Sequence, residues 1–139
     1  MEYIRGLRAH FKKKYPQFSV PTNIYYGYMD MTYFAILTPL TRAHNLKIGV
    51  LFEYANFRFE VYLSGVNRNV GAEYWQIIKD RGWSEYTSAD DPKKVDYIIY
   101  DVLAEDPDFG DLEALTEIIE GGTLEFIKNV EGFLSTLPA

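Results

Sequence analysis

Residues 48–63, IGVLFEYANFRFEVYL, alternate apolar and polar side chains on either side of a break at Ala55-Asn56. Asparagine tolerates the positive φ that tight hairpin turns require, so we expect an antiparallel hairpin that folds back there. Folding the chain at this turn pairs only apolar residues on one face: Tyr54 with Phe57, Phe52 with Phe59, Val50 with Val61 and Ile48 with Leu63.

The second face of this hairpin is mixed, and it pairs Glu53 with Arg58, Leu51 with Glu60 and Gly49 with Tyr62. A slip of one residue would mix the two faces, so the apolar set fixes the register. The row Arg58, Glu60 and Tyr62 is therefore predicted to face away from the Phe/Val core. It forms either cross-strand surface pairs or part of a site.

Two elements are predicted before the hairpin. Ile4, Leu7 and Phe11 recur at helical spacing, which predicts an amphipathic helix over residues 3–14. The aromatic stretch NIYYGYMDMTYFAILTP favours two more strands, 24–29 and 32–38, folded back near Asp30.

The chain after the hairpin is predicted to be mostly helical. Asn69 is a candidate N-cap for a helix that Gly82 closes, and WSEYTS favours a short fifth strand. The apolar residues of segment 92–104 have helical spacing, which predicts a helix, with a buried strand as the alternative. Gly121-Gly122 is expected to interrupt the last helical stretch.

The order of all these elements predicts a single α+β domain over residues 1–139. We expect an antiparallel sheet of four to five strands, built from two consecutive hairpins, with helices packed mainly on one face.

Composition limits the class of protein. The chain has 139 residues, the length of one ordinary domain, and 47% of them are hydrophobic, which is enough for a packed core. The absence of cysteine excludes disulfides and thiolate metal sites. No signal peptide and no apolar run of membrane-spanning length is visible, so we expect a soluble cytoplasmic protein with no membrane contact.

Charge is unevenly distributed along the chain. The formal net charge is −6, which argues against nucleic-acid binding. Residues 1–14 carry five basic side chains and one acidic one, whereas residues 101–139 carry ten acids and one base, Lys128. We expect these two regions to attract each other, within the fold or across a homodimer.

A candidate site lies where the central hairpin leads into the next helix. The sequence SGVNRNVG turns directly after the strand, and a helix N-terminus offers free N–H groups and a favourable dipole to an anion. Asn67 and Arg68 lie on this turn, and Arg58, Glu60 and Tyr62 form the polar row before it. Together they predict a pocket for a small anionic or polar ligand.

The preceding hairpin would add a tyrosine wall to this pocket. Tyr26, Tyr28 and Tyr33 surround Asp30 in the sequence, and tyrosine suits clefts because its apolar body ends in a polar tip. Asp30 is either a turn residue that bonds its own backbone or a carboxylate that lines the cleft.

Established catalytic and metal-binding motifs are missing from the sequence. None of the phosphate-loop, dinucleotide, serine-hydrolase or HExxH patterns occurs. His10 and His44 belong to different predicted elements, so we predict no two-histidine metal site. The acidic stretch 105–113 departs from EF-hand spacing and suits a helix N-terminus. No metal ligand is therefore predicted, and catalytic residues and cofactors stay undefined.

Four stretches resemble a small uncharacterised prokaryotic family of unknown function: YYGYMDMTYFAILTP, LKIGV, FRFEVYLSGVNRNVGAEYW and TLEFIKNVEGFL. The resemblance runs from about Leu7 to Leu134 and implies no activity. It implies recurring motif positions at Gly27, Tyr28, Asp30, Thr32, Arg58, Glu60, Gly65, Asn67 and Arg68.

The element order also loosely resembles the restriction-endonuclease-like core. In that fold an acidic residue and a Glu-x-Lys motif on the following strand bind magnesium. Glu60-Val61-Tyr62 stands in the comparable place here, with Tyr62 where that family has lysine.

Three functional hypotheses follow. The first is a binding module for a small polar or anionic ligand, or for a partner segment, in a Tyr/Arg/Glu-lined cleft. The second is a metal-dependent phosphodiesterase or nuclease-like enzyme that uses Asp30 and Glu60. The third is a dimerisation or scaffold domain.

Overall fold

The computed structural model describes residues 2–27 and 31–138, with residues 25–27 described by their backbone alone. The elements are α1 (Glu2–Lys14), β1 (Tyr25–Gly27), β2 (Met31–Ile36), α2 (Pro39–Ala43), β3 (Leu46–Glu53), β4 (Arg58–Gly65), α3 (Arg68–Arg81), β5 (Thr87–Ser88), β6 (Tyr97–Glu105) and α4 (Leu112–Leu134). The strands form one sheet in the order β1-β2-β3-β4-β6-β5, with every neighbouring pair antiparallel. The predicted α+β class is confirmed. In the described ranges, no helix combines the length and apolar character needed to cross a bilayer.

The β3–β4 hairpin has the predicted register from Ile48 opposite Leu63 to Glu53 opposite Arg58. Its turn differs in one detail, because the residue with positive φ is Phe57 (50°) and not Asn56. Asn56 instead donates its side-chain amide to the Glu53 carboxylate at 2.8 Å. The predicted turn near Asp30 lies outside the described residues.

One face of the sheet carries the core and the helices. Phe52 and Phe59 are 1% and 0% exposed, and their ring centroids lie 4.8 Å apart. Helix α1 packs Phe11 against Phe34 of β2 at 6.0 Å, so it covers the same face. Helices α3 and α4 meet where the ring of Trp83, just after α3, stacks on Phe133 at 4.5 Å. The predicted packing of helices on one face is thus confirmed, and we call the opposite face, which carries Tyr33, Gly49 and Tyr62, the open face.

The prediction of a helix over residues 92–104 is wrong, because Tyr97–Glu105 is strand β6. Two β-bulges explain the misleading pattern. Opposite Leu63-Ser64 and Phe59-Glu60, β6 carries one extra residue each time, at Ile98 and Leu103. Each extra residue shifts the two-residue alternation by one, which mimics the three- and four-residue spacing of a helix. The sheet consequently has six strands.

The predicted interruption at Gly121-Gly122 is also wrong, because α4 runs unbroken from Leu112 to Leu134. Gly122 has a packing role instead. A Cβ at this position would stand 2.6 Å from Cδ2 of Leu103, so glycine lets the helix approach β6 closely.

The turn from β4 into α3 depends on Gly65. A Cβ on Gly65 would stand 2.5 Å from the backbone nitrogen of Gly71 and 2.8 Å from the Asn67 carbonyl oxygen. Because both obstacles are backbone atoms, only glycine fits here. The N-cap is Asn67 and not the predicted Asn69: its side chain accepts a hydrogen bond from the Val70 N–H at 2.9 Å. The tight turn therefore starts the helix two residues earlier than predicted.

The basic first helix and the acidic last helix contact each other within the chain. The Glu120 carboxylate of α4 accepts hydrogen bonds from Lys14 at 2.7 Å and Tyr15 at 2.5 Å, and it also contacts His10. Burial alone would raise the pKa of Glu120, but the hydrogen bonds from Lys14, Tyr15 and His10 outweigh it and lower the pKa to about 2. These charges help to hold α1 against α4.

Candidate functional site

A cleft of about 610 Å³ lies on the open face of the sheet. Strands β2, β3 and β4 form its floor and one wall. The turn 64–68 and the segment 94–97, which leads into β6, close one end. We call this space the open-face cleft. Its volume lies within the range of small-molecule sites.

Small residues form the middle of the cleft floor. Gly49 of β3 lies between Ala35 of β2 and Tyr62 of β4 in the strand pairing. A Cβ built on Gly49 would meet no atom within 4 Å among the described residues. Glycine weakens a strand, so this position gives up some strand stability and keeps the space above the floor empty.

Tyrosines form the walls of the cleft. Tyr33 stands on one side, and Tyr62 and Tyr97 pack together on the other with ring centroids 4.6 Å apart. Tyr100 packs edge-on against Tyr97 at 5.4 Å and supports it from behind. Burial is the main cause that raises the pKa of Tyr62, and the nearby Glu60 carboxylate raises it further. Burial also raises the pKa of Tyr97. Both phenols therefore remain neutral hydrogen-bonding groups with flat faces.

The closed end of the cleft is cationic. Lys47, Arg68 and Lys94 line it, and Asp96 is the one acidic residue among the lining residues that the structure describes. Arg68 donates from Nε to Asp96 at 3.0 Å and from Nη1 to the Lys93 carbonyl at 2.9 Å, which pins the segment carrying Lys94. Within residues 2–27 and 31–138, neither Lys47 nor Lys94 has a carboxylate within 4.0 Å.

Ser64 adds a hydroxyl group to this cationic end. Lys47 and Ser64 are direct cross-strand partners on β3 and β4. Ser64 is only 9% exposed, it lines the cleft, and its side chain makes no hydrogen bond to any other residue that the structure describes. Because this hydroxyl group borders the cleft and has no protein partner among the described residues, it is available to a ligand.

Arg58 and Glu60 form a separate pair at the other end of β4. Arg58 Nε lies 2.5 Å from Glu60 Oε2 and 3.7 Å from Glu53 Oε2. Glu60 is 2% exposed, so this polar row is not the wet side of a hairpin. Neither residue lines the open-face cleft, and Arg58 starts a strand whose far end, at Gly65, is roughly 23 Å away.

The structure brings four of the sequence-predicted site residues together in the cleft: Tyr33, Tyr62, Asn67 and Arg68. Arg58 and Glu60 do not line the cleft, although the Glu60 carboxylate is close enough to Tyr62 to raise the pKa of its hydroxyl group. The side chain of Tyr26, and Tyr28 and Asp30 entirely, lie outside the described residues. The lining residues that were not predicted include Lys47, Gly49, Ser64, Lys94 and Tyr97.

No group of three or more His, Cys, Asp or Glu side chains in the described part of the chain is arranged to hold a metal ion. The Glu60 carboxylate, which the nuclease-like hypothesis requires, is engaged by Arg58. Asp30, its suggested partner, lies outside the described residues.

Comparison with known proteins places the chain in a family without assigning it an activity. A family model described as a domain of unknown function (DUF7000) matches residues 1–134. The chain belongs to that family. Neither the curated proteins nor the solved structures give a match. The cleft is therefore the feature of this DUF7000 member that bears on its function.

Proposed function

We propose that this DUF7000 protein is a binding module that holds a small anionic ligand in the open-face cleft. The observation that carries the proposal is the charge of the cleft. Among the residues that the structure describes, three cations and one acid line a concave, tyrosine-walled space in a protein whose formal net charge is −6. A basic site on an acidic protein concentrates anions locally.

The cations are available to a ligand to different degrees. Lys47 and Lys94 have no ion-pair partner among the described residues. Arg68 is partly engaged by Asp96, but both side chains are well exposed, at 57% and 84%. Such exposed pairs contribute little to stability, so an anion can compete for the guanidinium.

The scaffold of the cleft also supports binding. Its floor and one wall belong to β2, β3 and β4, which lie in the middle of the sheet and pair over most of their length. A ligand would therefore meet a preformed site, and little binding energy would be lost in ordering the protein.

A thermal-shift screen of small anions and polar metabolites tests this function. Gly49→Val is the matching blocked variant, because a side chain there enters empty space above the floor and valine favours a strand. Gly121→Ala is the control: this glycine is exposed on α4, and a Cβ there also meets nothing within 4 Å among the described residues.

We expect anionic compounds to stabilise the wild type and Gly121→Ala but not Gly49→Val. Gly49→Val itself should remain folded, since strand propensity rises and the added Cβ meets no described atom within 4 Å. The proposal fails if no anionic compound stabilises the wild type. It also fails if the stabilisation persists unchanged in a folded Gly49→Val protein.

A further inference from the structure

We infer that the ligand is a phosphate monoester whose phosphate is separated from a flat ring by a sugar-sized spacer, as in a nucleoside 5′-monophosphate. This inference rests on the proposed function and names its ligand class. It is carried by the division of the open-face cleft into a tyrosine-walled part and a cationic part.

The cationic part suits a phosphate group. Ser64 supplies an unpartnered hydroxyl group, and its cross-strand neighbour Lys47 supplies a charge. Asn67 and Arg68 also line this end, so the N-terminus of the 14-residue helix α3 opens beside them. The cap uses the Val70 N–H, which leaves the first N–H groups of the helix without helical acceptors. Hydroxyl, ammonium and helix N–H groups together match a phosphate, which accepts several charge-assisted hydrogen bonds.

The tyrosine-walled part suits a flat ring. Gly49 and Ala35 give a low floor, and the rings of Tyr62 and Tyr97 form a packed wall above it. Nucleobases stack on such aromatic side chains with little dependence on sequence. The neutral hydroxyl groups of the tyrosines also offer hydrogen bonds to ring substituents.

The two parts lie at a definite separation. Gly49 and Lys47 are two residues apart on one face of β3, about 6.6 Å along the strand. Tyr62 and Ser64, their partners on β4, repeat this spacing. One pentose ring spans that separation, which places a base beside Tyr62 and a phosphate beside Ser64.

The experiment is a set of equilibrium titrations of the full chain. The probes are the four ribonucleoside 5′-monophosphates, the four matching nucleosides, ribose 5-phosphate and inorganic phosphate. Ser64→Ala removes the hydroxyl group and Lys47→Met removes the charge. The matched control is Lys128→Met, because Lys128 is an exposed lysine of α4 on the other side of the sheet.

We expect at least one monophosphate to bind about tenfold more tightly than its nucleoside and than ribose 5-phosphate. Ser64→Ala and Lys47→Met should each weaken that binding by about tenfold, the loss typical of a hydrogen bond to a charged group. Both variants should leave nucleoside binding unchanged, and Lys128→Met should leave all the affinities unchanged.

The inference is overturned if nucleosides bind as tightly as their monophosphates, or if Lys128→Met weakens binding as much as Lys47→Met. It is also overturned if none of the four monophosphates binds while other anions stabilise the wild type and not Gly49→Val. In that last case the proposed function stands with a different ligand class. If no anion stabilises the wild type more than it stabilises Gly49→Val, the proposed function is contradicted as well.

Discussion

Arg58 Nε lies 2.5 Å from the carboxylate of Glu60, two residues farther along β4. The Glu60 side chain is almost fully buried, whereas that of Arg58 is 24% exposed. A buried carboxylate is costly unless a partner compensates its charge. The pair is therefore a structural requirement of the open face, at the opposite end of β4 from the cationic end of the cleft.

Removing Arg58 should destabilise the protein by leaving the Glu60 charge uncompensated. For Arg58→Ala we expect a loss of about 2–3 kcal/mol in the free energy of unfolding, measured by urea denaturation at neutral pH. Adding Glu60→Gln to this variant should recover part of the loss, because the buried charge is then gone. A double variant no more stable than Arg58→Ala would show that the buried charge is not the cause.

Removing the Phe59 ring should open a cavity in the core between the sheet and α1. Phe59 is 0% exposed and packs against Phe52 and Tyr3. We expect Phe59→Ala to cost about 3–5 kcal/mol in the same unfolding assay. Phe57→Ala, which removes a ring that is 45% exposed, should cost much less. Equal costs would contradict the full burial of the Phe59 ring in the core.

The contact between α1 and α4 should depend on pH through Glu120. Its pKa is about 2 in the folded protein against an ordinary value of 4.5. A lowered folded pKa stabilises the native state above the unfolded pKa, and this contribution disappears as pH falls through the folded pKa. The stability advantage of the wild type over Glu120→Gln should therefore be constant at neutral pH and shrink from about pH 4.5 towards 2.

The matched control for this titration is Glu117→Gln, which alters an exposed glutamate one turn earlier on α4. Its stability difference from the wild type should stay small across the same pH range. An advantage of the wild type over Glu120→Gln that persists undiminished at the acid end would contradict the lowered pKa.

Adding a methyl group at Gly65 should displace the start of α3. The clashes are with backbone atoms of Gly71 and Asn67, so no side-chain rotation can relieve them. We expect Gly65→Ala to cost about 1–3 kcal/mol in stability and to weaken ligand binding, because Asn67 and Arg68 move with the turn. Gly121→Ala should instead gain about 0.5–1 kcal/mol, as expected for an exposed helix position. A Gly65→Ala protein with wild-type stability would contradict the tight turn.

The central hairpin was predictable because a period of two residues and one turn determine every pair from Ile48–Leu63 to Glu53–Arg58. Strand β6 was not predictable, because its bulges at Ile98 and Leu103 give the strand the spacing of apolar residues that is typical of a helix. The predicted interruption of the last helix at Gly121-Gly122 was wrong for a different reason. The low helix propensity of Gly122 is offset by its close packing against Leu103, a tertiary effect that local sequence does not show.

Part of the cleft could also have been predicted from the sequence. Extending the hairpin pairing by one more polar position gives Lys47 opposite Ser64 on the same face as Gly49 and Tyr62. The positions of Lys94 and Tyr97 in the cleft could not be predicted. They lie beside β4 because β6 pairs with it, and the sequence pattern of β6 indicated a helix. The burial of Glu60 was hidden for the same reason, since β6 lies directly beside β4.

The most direct test of the central claim is an amide chemical-shift titration of ¹⁵N-labelled protein with each of the four ribonucleoside 5′-monophosphates. At 139 residues the protein is well suited to this measurement. We predict that at least one monophosphate gives its largest shift changes at residues 47–49, 64–69 and 94–97, and that Gly49→Val abolishes them. Largest changes in the groove between α1 and α4, around Gly6, Leu7 and Thr116, or no changes with any of the four ligands in excess, would contradict it.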